Sequence, residues 1–448
     1  MRFRPCFASL LFCCVNAAFG QTQGAQVPAA SSVPPDVPQW LTPSTEIDKS
    51  LPSWLTFSGQ YRMRAEGYMG GGYSPTSSDA YLLSQLQLNL SIHPTPWLRF
   101  FVQGMDARSF EKSPAVPPFQ NTWDIRLAYV ELGDMEKSMF GLRVGRQEIM
   151  LGDQRLVGNA AWTNTEHSFD AVRGTVHYHG YRLDLFASSV VNPVTGAWDH
   201  HQQGNNLHGL YGGIDKFAPY ITVEPYILWR LQPSVKNEEG VVANLDEKVS
   251  GARAAGKLPH GVDYGVEMVR EFGSLATDNI QSWAGHWETG KTFAMRLTPR
   301  AFFEYNFASG DKNPKDGVRE TFDQLYPSGH DLYGVADQVG WRNIKDTRAG
   351  IGIKPRLNVT VNVEYNNFYL ASATDALYNT AGATIARNTA GTAGTHVGQE
   401  FDGYGTWTVS KPLLLGAGLG HILPGEFLKN TTKGSPYTYP YAMAVWKF

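Results

Sequence analysis

From Leu55 onward, apolar and polar residues alternate with a period of two, as in Phe57, Gly59, Tyr61 and Met63 against Ser58, Gln60, Arg62 and Arg64. That period puts one class of side chain on each face of a β-strand. The pattern recurs to the C-terminus and predicts about eighteen strands of roughly ten residues, the length a tilted strand needs to cross hydrocarbon. Short connections, many with Pro or Gly, fall at His93 to Pro96, Gly133 to Ser138, His179-Gly180, Ala218-Pro219, Pro259 to Gly261, Pro299, Lys354 to Arg356 and Lys411-Pro412. Between them lie nine longer loops, among them 67–79, 150–168, 310–343 and 371–397. An even strand number leaves both termini on one side, with short turns in the periplasm and long loops outside. The predicted fold is all-β, a transmembrane antiparallel β-barrel over 55–448. No sequence repeat accompanies the regularity, which disfavours a propeller or solenoid.

The residues ahead of the barrel set the compartment. Arg2 and Arg4, the apolar run Phe7 to Val15 and the small residues around Ala18-Phe19-Gly20 have the order of a secretory signal peptide over 1–20. Residues 21–54 are rich in Pro, Ser, Ala and Gln and are expected to be a flexible periplasmic segment. Cys6, Cys13 and Cys14 all lie in the signal, so a disulfide scaffold or thiolate metal site is excluded from the mature chain. After the signal no apolar run approaches the eighteen residues a spanning helix needs. Formal charge is −3, and removing Arg2 and Arg4 takes it to −5. The whole molecule therefore offers no electrostatic reason to bind nucleic acid, and any charge selectivity depends on where the charges sit.

Alternation alone does not say whether the apolar face meets a core or lipid. Aromatic residues gather at predicted strand ends, namely Trp97, Trp123, Tyr129, Tyr181, Trp229, Tyr264 and Tyr365, as interfacial belts do. The polar faces carry charge in mid-strand: Arg126, Arg143, Arg173, Arg182, Arg230 and Arg296, with Asp124, Asp184, Glu224, Glu267, Glu304 and Glu364. Arg62, Arg64 and Arg348 share that phase. On the lipid face a cation costs about 2–4 kcal/mol at the midplane, so these residues are expected to face a wet lumen. There they either contact a solute or pair with the carboxylates and brace the wall. The chain also stops on an amphipathic strand closed by Phe448, which resembles the signal that marks outer-membrane barrels for insertion.

Two segments go beyond barrel texture. One runs Gly145-Arg146-Gln147-Glu148, Gly152 to Asn159, Trp162-Thr163-Asn164 and Phe169 to Arg173. The other runs Ala308 to Asp311, Thr321 to Pro327, His330, Tyr333-Gly334, Asp337 and Trp341-Arg342-Asn343. Together they resemble the alginate export family over about 55–448. The resemblance implies a monomeric eighteen-stranded barrel in the bacterial outer membrane, with an arginine-lined pore for a polyuronate. It also brings in periplasmic export proteins as candidate partners, beside outer-membrane lipid. Pore-lining positions are then Arg62, Arg64, Arg126, Arg143, Arg173, Arg182, Arg230, Arg296 and Arg348. The expected solute is an anionic polysaccharide or a smaller uronate; the alternative is a general or nutrient-specific porin. Some of the long motif-bearing loops are expected to fold inward and narrow the pore.

Other chemistry is weaker. Asp199-His200-His201 sits on one loop, where adjacent histidines seldom converge on a metal. Asp311 to Gly317 lacks most of a calcium-loop ligand series. No Gly-x-Ser-x-Gly elbow occurs, so neither catalytic residues nor cofactors are expected. A plugged structural barrel remains the third class.

Overall fold

The computed structural model describes residues 43–237 and 239–448. The expected signal peptide and residues 21–42 lie outside the described residues. A helix, α1 (Pro43–Ser50), precedes the barrel and docks on its first strand, where Asp48 Oδ1 accepts the Phe57 N–H at 2.8 Å. The end of the segment expected to be flexible thus carries a helix. Pro43 opens the helix, where its missing N–H is no loss.

The strands are β1 (Leu55–Met69), β2 (Ser78–Thr95), β3 (Leu98–Phe110), β4 (Asn121–Leu132), β5 (Phe140–Gln147), β6 (Phe169–Tyr178) and β7 (Tyr181–Asn192). Next come β8 (His200–Ile214), β9 (Thr222–Lys236), β10 (Val242–Leu258), β11 (Val262–Leu275), β12 (Asp278–Thr292) and β13 (Arg300–Ala308). After β14 (Val318–Arg319) follow β15 (Ile344–Arg356), β16 (Val359–Leu370), β17 (Ala376–Tyr378), β18 (Thr384–Arg387), β19 (His396–Thr408), β20 (Leu413–Pro424) and β21 (Tyr437–Lys447). A short helix, α2 (Glu426–Thr431), lies between the last two. The short strands β14, β17 and β18 belong to loops. The other eighteen pair antiparallel with their chain neighbours, and β21 pairs back onto β1, for example Tyr61 with Trp446, closing the barrel. Closure satisfies every edge within one chain, the condition for a sheet to exist in lipid.

Closure depends on a local fit at the end of the chain. Phe448 exchanges backbone hydrogen bonds with Gly59 at 2.7 and 3.0 Å, and a Cβ on Gly59 would lie 2.5 Å from the Phe448 ring. The glycine leaves the seat that the terminal aromatic fills.

The outer face carries exposed Val102, Val144, Leu185, Ile227, Phe272, Val363 and Leu419, one from each of seven strands round the wall. Such a surface would be an aggregation liability in water and is the expected surface in hydrocarbon. All eight short connections lie at one end. At the other end two of the nine expected long loops are tight turns, 237–241 and 276–277. Ala276 takes a positive φ of 56° there, and Asn237 Oδ1 caps the first turn by accepting the Val241 N–H at 2.8 Å. With the long loops outside, a cysteine at exposed Asp316 is expected to react with a membrane-impermeant maleimide on intact cells, and one at exposed Lys411 only after lysis. The opposite labelling would invert the barrel.

Candidate functional site

The long loops 148–168, 309–343 and 371–395 fold into the barrel and pack as one apolar body. Ile149, Leu156 and Val157 from the first meet Phe322, Leu332, Val339 and Trp341 from the second and Leu377 from the third. The two motifs singled out in the sequence meet here. Val157 and Tyr326 form a parallel bridge, with Tyr326 N–H to Leu156 O at 2.8 Å and Gly158 N–H to Tyr326 O at 2.9 Å. Asn343 ties in the third loop, donating to Ala376 O at 2.9 Å and accepting the Ser372 N–H at 2.7 Å. Trp162 is layered between loop and wall: the His330 ring stacks on it at 3.6 Å, and the Arg64 guanidinium lies 3.8 Å from its ring centre.

Ion pairs fasten this body to the wall. Arg155 reaches Glu304 at 2.9 Å, and Arg253 grips Asp153 through two contacts of 2.6 and 2.7 Å. Arg230 meets Asp323 at 2.9 Å. Burial alone would raise the Asp323 carboxyl, but Arg230, Arg342 and Arg319 outweigh it and hold the group well below the usual carboxylate range. Arg348, fully buried, joins Glu364, Glu304 (3.4 Å) and Asp331 (3.2 Å). Gly334 in the same loop has φ +92°, and its missing Cβ leaves room for the Glu400 carboxylate.

Eight of the nine expected arginines point inward. Arg62 donates to Ala161 O at 2.5 Å and Thr163 O at 2.9 Å, and Arg64 pairs with Glu66. Arg126 bonds Glu148 and Glu166, and reaches the lumen through a bulge where Gly104 pairs with Ile125 while Gln103 pairs with Leu127. Arg143 pairs with Glu131, Arg173 with Asp184 (3.1 Å), and Arg182 with both Asp184 (3.2 Å) and Glu224 (3.0 Å). Arg296 does not belong to the set. The chain turns over 293–299, with positive φ at Leu297 and Thr298, so Arg296 is an exposed turn residue. Its place on the wall is taken by Arg300, which pairs with Asp263 (2.5 Å) and Glu288. The sequence reading also missed Arg253 and Arg155; Arg300 was within reach, since it shares the parity of Glu304. Tyr129 likewise corrects the belt: it pairs with Phe101 (5.1 Å) and stands under Arg143 (4.4 Å), on the lumen side with Glu131.

The weaker sites dissolve into loop scaffolding. His201 meets Asp170 at 3.1 Å, Asp199 accepts from Asn121, and Asp311 caps the Asn313 and Glu320 N–H groups. Among the described residues no group of three or more His, Cys, Asp or Glu is placed to hold a metal ion.

Two cavities flank the loop body. Towards the short turns, about 340 Å³ is lined by Asp153, Arg155, Thr222, Arg253, Lys257 and Asp263, among others. Towards the long-loop end, about 440 Å³ is lined by Lys236, Asn237, Glu239, Gly240, Arg319, Arg342, Tyr378 and Arg387.

A closed eighteen-stranded barrel with an apolar exterior and a charged, loop-narrowed interior defines an outer-membrane channel. Residues 53–439 match the alginate export family, and the chain belongs to it. No curated protein matches. In fold it is similar to three solved Pseudomonas aeruginosa structures. OpdK with vanillate has a TM-score of 0.60 at 10% identity, over 88% of this chain and 98% of that one. OpdQ gives 0.60 at 10% identity over 88% and 97%, and OccK8 (OprE) 0.58 at 11% over 88% and 98%.

Proposed function

We propose that the channel passes anionic sugar acids, as single uronates or short oligomers, along an arginine-presenting wall, and that its role is passage rather than catalysis. One observation carries this. In four wall pairs near the short turns the guanidinium is more exposed than its carboxylate: Arg143 19% against Glu131 8%, Arg173 19% against Asp184 3%, Arg182 30% against Glu224 10%, and Arg300 20% against Asp263 10%, whereas the Arg64–Glu66 and Arg146–Asp170 pairs run the other way. Near-balanced charge thus offers cations to lumen water and tucks the anions behind them. Planar guanidiniums suit carboxylates in succession, and their own wall partners keep each contact weak enough to release. The flanking cavities have the volume of sites for small molecules. A polyuronate of alginate type would need the loop body displaced. The pore closes within one chain, so a monomer suffices.

In planar bilayers the channel is expected to prefer anions. Arg143→Gln, Arg173→Gln and Arg182→Gln together should move the reversal potential toward cations, each charge contributing about 1 kcal/mol at contact in water. Insertion should survive, since lumen residues tune selectivity. An unchanged reversal potential would make these arginines wall braces only, and the chain a general porin.

A further inference from the structure

The cavity at the long-loop end has cations that its own carboxylates leave unsatisfied. Asp323 is the nearest anion to Arg319 and Arg342, but Arg230 takes it at 2.9 Å, leaving the other two at 3.8 and 3.9 Å, beyond hydrogen-bond length. Arg319 is 7% exposed, and neither its Nη1 nor the Nε of Arg342 has a hydrogen-bond partner among the described residues. Buried guanidinium nitrogens without an acceptor are costly, and an anionic ligand would supply what is missing.

The frame around them is rigid. Arg319 sits on β14, which pairs in parallel with β12 at Asn279 and Ile280. The Arg342 guanidinium lies 4.3 Å from the Tyr378 ring centre, which fixes its plane. Arg387 holds the rim of the cavity, bonded to Tyr378 OH at 2.9 Å and Asp375 at 3.0 Å. Lys236 adds an exposed cation, and Glu239 is the lining carboxylate.

We infer that Arg319 and Arg342 form a capture site for the carboxylate of a sugar acid at the outer mouth, ahead of the loop body. This deepens the uronate reading proposed for the lumen and rests on it for the ligand class. Two guanidiniums lining one cavity, that of Arg342 held in plane by Tyr378, favour a planar oxyanion held by paired hydrogen bonds. The site would concentrate solute where the bore narrows.

The test uses the refolded barrel in planar bilayers with trigalacturonate as blocker. Added on the long-loop side, it should produce transient block that weakens at least about tenfold, the scale of 1.4 kcal/mol, in the Arg319→Gln, Arg342→Gln double variant. Added on the short-turn side, block should be the same in both proteins. Lys315→Gln, which removes an exposed cation of the same loop, should leave block unchanged and so separates a site from general attraction. Calorimetry in detergent should show galacturonate binding to the parent and not to the double variant. Equal block in parent and double variant overturns the site, as does equal competition by inorganic sulfate, which would mean no preference for carboxylate. If the triple lumen variant keeps its ion preference while outer block still depends on Arg319 and Arg342, the capture site stands and the lumen proposal fails.

Discussion

Replacing Arg348 with Met is expected to destabilise the barrel by about 3–5 kcal/mol, the range for removing one partner of a buried charge network. Arg348 is wholly buried on β15 and serves Glu364, Glu304, Asp331 and the Leu332 carbonyl at once. Arg155 still covers Glu304 in the variant, but Glu364 loses its cation in a region that also holds buried Asp346, Glu400 and Asp402. Burial and the nearby Glu364 carboxylate raise the Asp331 carboxyl, and of the three carboxylates Glu364 lies nearest the Arg348 guanidinium. The measurement is urea unfolding of the barrel in lipid, followed by tryptophan fluorescence. Adding Glu364→Gln to Arg348→Met should recover part of the loss, because the orphaned charge goes with it. A loss under about 1 kcal/mol would mean that lumen water hydrates these groups and that the network is a surface one.

The barrel could be read from the sequence because lipid imposes two demands that leave local traces: apolar alternation long enough to span, and turns compact enough to reverse the chain. Arg62 and Arg64 on β1 follow that rule directly. It fails where the loops fold in. Leu207, Leu228, Val249 and Val269 point inward and are buried against the loop body, so β8 to β11 are apolar on both faces at that level. There the alternation fades, and Arg253 on β10 escaped notice although it shares the parity of Leu245, Glu247 and Val249.

Arg296 failed for a different reason. Pro299 marked the turn correctly, yet the turn begins at Phe293, whose N–H bonds Pro299 O at 2.8 Å, and this removes Arg296 from any strand. Proline shows that a turn is present and not how far it extends. The capture site was the least legible. Arg319, Arg342, Tyr378 and Arg387 come from two loops whose convergence depends on tertiary packing, with no spacing rule to connect them.

Trp162→Ala with His330→Ala should raise single-channel conductance severalfold, the largest change in permeation expected of any variant that leaves the wall intact. Trp162 holds three things together: the His330 ring of the neighbouring loop at 3.6 Å and nearly coplanar at 4°, the Arg64 guanidinium of β1, and Tyr441 of β21 edge-on at 4.9 Å. Removing a fully buried Trp costs about 3–5 kcal/mol; Trp162 is partly buried, so the cost is smaller, and it falls on the loop contacts because the strand pairing of β1 and β21 is untouched. His330 also bonds Asp337 at 2.9 Å, so the double variant frees both sides of the 309–343 loop at its contact with loop 148–168. The Val157–Tyr326 bridge remains, which confines the loosening to the β1 side of the bore. Larger openings and more frequent fluctuations between conductance levels are therefore expected, while urea unfolding of the strands shifts little. If conductance and its noise match the parent, ions pass on the far side, beside β9 to β12, where the cavity of about 340 Å³ lies. The narrowing would then be set by Arg155, Arg253 and Arg300, and Arg155→Ala should produce the increase instead.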